Sequence, residues 1–103
     1  MTGNGRLTDG LDTGKPMQIC TTETMSFYGN YRQDGLHLIH EIDDAAAGFK
    51  SGIRYILPPE AVTKLFSLIS REGFIEICRK EGLSGMEEFF GSNDIPYRRE
   101  GIW

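Results

Sequence analysis

The dipeptide Asp34-Gly35 is the strongest local constraint on what this chain can fold into. It predicts a tight β-hairpin, because a two-residue type I′ turn needs positive φ at both central positions. Counting outward pairs Gly29 with His40, and alternation then separates the side chains into two faces. The mostly apolar set is predicted to face the core: Phe27, Gly29, Tyr31, Leu36, Leu38, His40 and Ile42. The other set suits solvent or a partner: Tyr28, Asn30, Arg32, His37, Ile39 and Glu41.

The rest of the chain predicts one more strand, several helices and an extended tail. Residues 49–57 alternate as a third strand, and Pro58-Pro59 ends it and begins a helix. A second helix over residues 72–81 is stopped by Gly82, and Ser84 to Glu87 reads as the capping box of a short third helix. The fold class is therefore α+β. Its antiparallel sheet has three strands, or four if the C-terminal IPYRREGIW joins it, and two to three helices pack on one face.

Composition divides the chain into an arm and a domain. Residues 1–16 are rich in glycine and polar residues and contain only two leucines, Leu7 and Leu11. Such a segment buries too little apolar surface to offset the entropy of ordering, so it is predicted to be a disordered arm. Residues 17–103 are predicted to form a single α+β domain, as a chain of this length has room for one core.

The charge balance excludes some classes of partner. Eleven Lys and Arg against fifteen Asp and Glu give a net charge of −4 and a pI near 5.1. This argues against direct binding of nucleic acid or a membrane surface, which needs a cationic face, although a local basic patch is compatible with an acidic total. The chain has no apolar run of membrane-spanning length and no signal-peptide pattern, so we expect a cytoplasmic protein.

No metal, cofactor or catalytic signature is found. His37 and His40 lie an odd number of residues apart in one strand, so they point to opposite faces and do not share a metal ion. Asp43-Asp44 is followed by three alanines, which supply no side-chain oxygen for calcium. Cys78 falls on the apolar side of the second helix and Cys20 near the arm, and neither has a histidine beside it in sequence.

The leading functional hypothesis is a non-enzymatic, acidic protein-binding module. It would inhibit or regulate a basic, nucleic-acid-handling protein, as small acidic α+β proteins of the anti-defence and immunity type do, and this analogy rests on size and charge. The predicted binding residues are Tyr28, Arg32, His37, Ile39, Glu41, Asp43, Asp44 and Trp103. Among them, Tyr28, Ile39 and Trp103 are the expected anchors, and acidic residues would steer association.

Two alternatives stay open. One is a small enzyme or small-ligand binder that uses Cys20, His40 and Tyr31 in a pocket of about 300 Å³ or more between sheet and helices. The other is a homodimer formed through an exposed sheet edge or the C-terminal tail.

Overall fold

The computed structural model describes residues 16–102, which fold into a five-stranded antiparallel sheet and two helices. The strands are β1 (Met17–Thr21), β2 (Met25–Arg32), β3 (Gly35–Asp44), β4 (Phe49–Leu57) and β5 (Arg98–Gly101). The helices, α1 (Pro59–Leu68) and α2 (Arg71–Ser92), lie between β4 and β5 in the chain. The strands follow one another across the sheet in the order β1 to β5. The α+β class is confirmed, but the sheet has five strands rather than three or four.

The β2–β3 hairpin forms, but its turn differs from the predicted one. The turn residues are Gln33 and Asp34, because Arg32 pairs with Gly35, and Phe27 rather than Gly29 lies opposite His40. Neither turn residue has positive φ, and the positive φ of 127° belongs to Gly35. The predicted type I′ turn is therefore wrong. The pairing moves by two residues, which preserves the alternation, so the predicted separation into two faces holds.

Strand β1 is an edge strand that the sequence analysis did not count. It pairs with β2, and its register shifts between Gln18 and Cys20, which places a bulge at Ile19. The carbonyl of Ile19 accepts a hydrogen bond from Nε of Arg79 at 2.5 Å, so α2 caps the backbone group at the bulge. At the other edge, the C-terminal tail does return to the sheet, and β5 pairs with β4 from Ile53 to Ile56.

The helices begin and end near the predicted residues. Pro59 occupies the start of α1, and the Ser70 hydroxyl caps α2 by accepting from the backbone N–H of Gly73 at 3.0 Å. Within α2, Gly82 has φ 68° and ψ −158°, so two helical segments meet at the glycine that was predicted to end the second helix. The predicted second and third helices are thus the two parts of α2. Neither described helix is both long enough and apolar enough to cross a membrane.

The core lies between the helices and one face of the sheet. It contains most of the side chains that alternation assigned to the core, together with apolar side chains of both helices. His40 and Ile42, which were also assigned to it, are only half-buried. Its fully buried members include Met17, Ile19, Leu36, Leu38, Tyr55, Leu57, Leu65, Phe74, Met86 and Phe90. Both described helices therefore pack on a single face, as predicted, and the opposite face of the sheet is left without a described layer above it.

Candidate functional site

We call the sheet face that points away from the core the outer face. By pairing and alternation its side chains run in rows across the strands. One row contains Tyr28, Ile39, Arg54 and Glu100, the next Asn30, His37, Ile56 and Arg98, and Arg32, Glu41, Asp43 and Lys50 lie toward the ends of the strands. Six of the eight predicted binding residues belong to this face: Tyr28, Arg32, His37, Ile39, Glu41 and Asp43.

Two apolar side chains at the centre of the outer face are almost fully covered. Ile39 and Ile56 are each 5% exposed, although no described helix covers them. Ile39 thus lies on the predicted face, but it forms part of a floor rather than a protruding anchor.

His37 was predicted to lie on the exposed face as a binding residue and is instead buried, with 6% of its surface exposed. Its Nε2 lies 2.7 Å from Oδ1 of Asp34, and this hydrogen bond holds the pKa of Asp34 below its usual value. An ionised carboxylate only accepts, so Nε2 carries the proton and donates. Nδ1 of His37 is buried without a hydrogen-bond partner, and so is Nε of Arg54 in the adjacent row. The outer face therefore contains two unsatisfied polar atoms.

An acidic cleft lies at the end of the outer face where the β1–β2 turn meets β3. It has a volume of about 290 Å³, and Glu23, Glu41 and Asp43 line it beside Thr22, Thr24, Met25 and Ser26. Burial, followed by the nearby charge of Glu41 and a hydrogen bond to it, raises the pKa of Tyr28, so the phenol stays a hydrogen-bond donor at neutral pH. This end of the face combines negative charge with one half-buried aromatic ring.

The two remaining predicted binding residues lie elsewhere. Asp44 belongs by alternation to the side of the sheet that carries the core, and its Oδ1 accepts from the backbone N–H of Ala47 at 3.1 Å. It closes the β3–β4 turn, and this is a structural role. Trp103 lies outside the described residues.

The alternative site is not assembled in one cleft. Cys20 and His40 are both on the core side, but Phe27 lies between them in the pairing and its ring meets His40 edge-on at 5.2 Å. Tyr31 lines a different cleft of about 250 Å³ against Pro59 and Val62, in which neither Cys20 nor His40 takes part. Burial lowers the pKa of His40. Cys20, His40 and Tyr31 therefore do not line one cleft together.

The other candidate groups for nucleophilic or metal chemistry are also accounted for. Cys78 is buried in the core, and burial raises the pKa of its thiol to about 12, so the thiolate is scarce at neutral pH. The cysteines Cys20 and Cys78 are both free thiols. Within residues 16–102, no group of three or more His, Cys, Asp or Glu side chains is arranged to hold a metal ion.

A second cleft, which the sequence analysis missed, lies between α2 and the start of β5. It measures about 560 Å³ and is lined by Tyr97, Ser84, Gly85 and the carboxylates of Glu81, Glu87 and Glu88. Below it the buried phenol of Tyr55 donates to Oε2 of Glu87, and Arg99 lies 3.7 Å from the same oxygen. Burial and the hydrogen bond to Glu87 raise the pKa of Tyr55. The cluster ties β4, α2 and β5 together.

Comparison of the chain with protein-family models, with curated proteins and with solved structures finds no match. The functional assignment therefore depends on the geometry alone.

The residues missed by sequence reasoning share one property. Tyr55, Glu87 and Arg99 come from three elements that are far apart in the chain, and no local pattern links them. The sequence does show two positive charges, Arg98 and Arg99, beside the aromatic Tyr97, but it does not show which residues they contact. The burial of His37 also carried no sequence signal, since alternation assigns a residue to a face but does not say how exposed that face is.

Proposed function

We propose that this protein is a non-enzymatic protein-binding module that recognises a basic protein through its outer face. The observation that supports this most is the combination found on that face: two almost fully covered apolar side chains, Ile39 and Ile56, and an acidic cleft at one end. Proteins that handle nucleic acid present clustered Lys and Arg side chains, which such a cleft complements in charge. Binding would inhibit or regulate the partner by occupying that basic surface.

The energetics of such an interface follow from the exposures. Because Ile39 and Ile56 are almost fully covered in the free protein, binding removes little further apolar area from water at the centre of the face. The gain must come instead from Tyr28 and from charge pairs at the acidic cleft. Charge pairs at the rim of an interface mainly raise the association rate and are screened by salt. We therefore expect binding that weakens as ionic strength rises.

The test compares two triple charge reversals that change net charge equally. The outer-face variant carries Glu23→Lys, Glu41→Lys and Asp43→Lys, and the matched control carries Glu72→Lys, Glu76→Lys and Glu88→Lys on α2. Each is used, beside the wild type, to capture partners from native-host lysate at low and moderate salt. The expected result is one stoichiometric basic protein that the wild type and the control retain, that the outer-face variant loses, and that salt releases.

Two results contradict the proposal. Equal capture of the same protein by both triple variants would show that net charge, or another surface, carries recognition. A wild-type bait that captures no stoichiometric protein at either salt concentration would remove the binding module itself. Circular dichroism of each variant checks that loss of capture does not reflect loss of the fold.

A further inference from the structure

The core side of the sheet loses its cover toward the β3–β4 turn. In β4, Tyr55 and Leu57 are fully buried, whereas Phe49 at the other end of the strand is 51% exposed. Ile53 and, on the neighbouring strand β3, Ile42 are only half-buried. Phe49, Ile53 and Ile42 share the core side of the sheet by alternation, and we call these three side chains the open patch. Neighbouring large apolar side chains that stay exposed indicate a surface that another group covers.

The pairing of β5 shows which part of the chain reaches the open patch. Gly101 pairs with Ile53 on the core side. One position further along both strands, the backbone N–H of Ile102 donates to the carbonyl of Gly52 at 2.9 Å, so the antiparallel ladder continues beyond the end of β5. Ile102 belongs by alternation to the outer face, and the next residue of the chain returns to the core side.

We propose that the open patch is the docking site of the Trp103 side chain. The next pair of the same ladder joins Trp103 to Ser51. An aromatic side chain in an antiparallel sheet also reaches the residues two positions before and after the one directly opposite. For Trp103 these residues are Phe49 and Ile53, the two members of the open patch on β4. Contact with them removes apolar surface of both partners from water.

The edge of the sheet has room for an indole ring. A Cβ built on Gly101 would have no atom of the described residues within 4 Å, so the core side of the edge next to Ile53 is open. Ser51, directly opposite Trp103 in the ladder, is small as well. A large flat ring therefore fits over Gly101 and Ser51 and meets apolar side chains on either side.

This docking site changes the role of Trp103 from that expected from the sequence. On the open patch, Trp103 is part of the fold, and a partner that used it as an anchor would first have to displace it. The inference goes beyond the proposed function, which depends on Tyr28 and the acidic cleft of the outer face. Trp103 lies by this register on the opposite side of the sheet from both.

Fluorescence of the full chain tests the docking site, because Trp103 is the only tryptophan in the sequence. The wild type is compared with Phe49→Ala, which removes one side of the open patch. Leu68→Ala is the matched control, since Leu68 is also 51% exposed but lies at the end of α1. We expect the wild type to emit at shorter wavelength than the urea-unfolded chain and to be weakly quenched by acrylamide. Phe49→Ala should shift the emission to longer wavelength and increase quenching, and Leu68→Ala should change neither.

Hydrogen exchange gives a second measurement. The amide of Ile102 is held by the last hydrogen bond of the ladder, and a chain end that loses its side-chain contacts frays. Both Trp103→Ala and Phe49→Ala should therefore speed exchange at Ile102. Exchange at Leu38, in the fully buried centre of β3, should stay as slow as in the wild type and shows that the fold is intact.

Three outcomes overturn the proposal. The first is a wild type whose emission and quenching match those of the unfolded chain. The second is quenching that responds to neither Phe49→Ala nor Leu68→Ala, or to both equally. The third is a short-wavelength emission that develops only as protein concentration rises, which would show that a second copy covers Trp103. None of these results depends on capture of a partner, so failure of this docking site and failure of the proposed function are separate findings.

Discussion

Replacement of Gly35 tests the corrected hairpin more directly than any other substitution. Gly35 has φ 127°, and a Cβ placed on it would lie 1.8 Å from the carbonyl oxygen of Leu57 and 3.0 Å from Cα of Pro58. The conformation alone costs about 1–3 kcal/mol for a residue with a side chain. The added Cβ would contact backbone atoms, so β3 and the end of β4 must also separate locally. We expect this to cost as much as overpacking a core, which adds about 1–3 kcal/mol. Gly35→Ala should therefore lower the free energy of unfolding by about 2–6 kcal/mol.

Two other glycines provide matched controls for this prediction. Gly48 has φ 67° but no atom within 4 Å of its added Cβ, so Gly48→Ala should cost only the left-handed conformation, about 1–2 kcal/mol. Gly101 has neither a positive φ nor a close neighbour, so Gly101→Ala should change stability by less than about 0.5 kcal/mol. Urea unfolding followed by circular dichroism measures the stability of all three variants. Their unfolding midpoints can be compared directly if the dependence of the unfolding free energy on urea concentration is the same.

A second substitution at Gly35 distinguishes the two turns. In the type I′ turn predicted from the sequence, Asn is well tolerated because it adopts positive φ readily. In the observed hairpin its Cβ meets the Leu57 carbonyl as that of alanine does, so Gly35→Asn should be about as destabilising as Gly35→Ala. If Gly35→Asn is instead within about 1 kcal/mol of the wild type, the observed register is refuted and Asp34-Gly35 is the turn.

Two further predictions concern single hydrogen bonds. The pKa of Tyr55 is raised in the fold, so the stability that is present below the ordinary tyrosine pKa of 10.0 falls as pH rises above it. Tyr55→Phe should reduce this fall by up to about 1.4 kcal/mol per pH unit, measured by urea unfolding up to about pH 11. If the dependence of stability on pH is the same in the variant, the assignment is contradicted. Arg79→Met keeps the aliphatic stem but leaves the Ile19 carbonyl without a donor, so it should lower the free energy of unfolding by about 1–3 kcal/mol. It should also increase aggregation, measured by light scattering, because the β1 edge loses part of its protection. If neither stability nor aggregation changes, the bulge alone protects this edge.

The two faces of the sheet were predictable because alternation is a robust signal. The observed pairing differs from the predicted one by two residues, and a shift of two leaves every side chain on its original face. The turn itself was not predictable from Asp34-Gly35, because the same dipeptide is compatible with a turn one position earlier. What decides between them is the approach of Gly35 to the end of β4, a contact between residues more than twenty apart in the chain.

Strand β1 was missed for a local reason. It has five residues, and its bulge interrupts the alternation, so Ile19 and Cys20 both lie on the core side of the sheet in succession. A short segment that breaks the period of two resembles a loop when only the sequence is read. The helical segments, in contrast, follow the helical period, and for that reason they and most of the core were predicted, although α2 was predicted as two separate helices.

The sequence predicted which side chains share the outer face, but not their exposure or their unpaired polar atoms. Sequence alternation placed His37 and Ile39 on the correct face, but it did not predict that only 6% and 5% of their surfaces are exposed. Nε2 of His37 is engaged with Asp34 while its Nδ1 has no partner, and Nε–H of Arg54 is a donor without an acceptor. Each such atom left unpaired in a dry interface costs about 1–3 kcal/mol. A purely apolar surface docked here would retain both penalties, whereas one that supplies polar groups at these rows removes them. An occupant of the outer face is therefore expected to supply polar groups at these two rows.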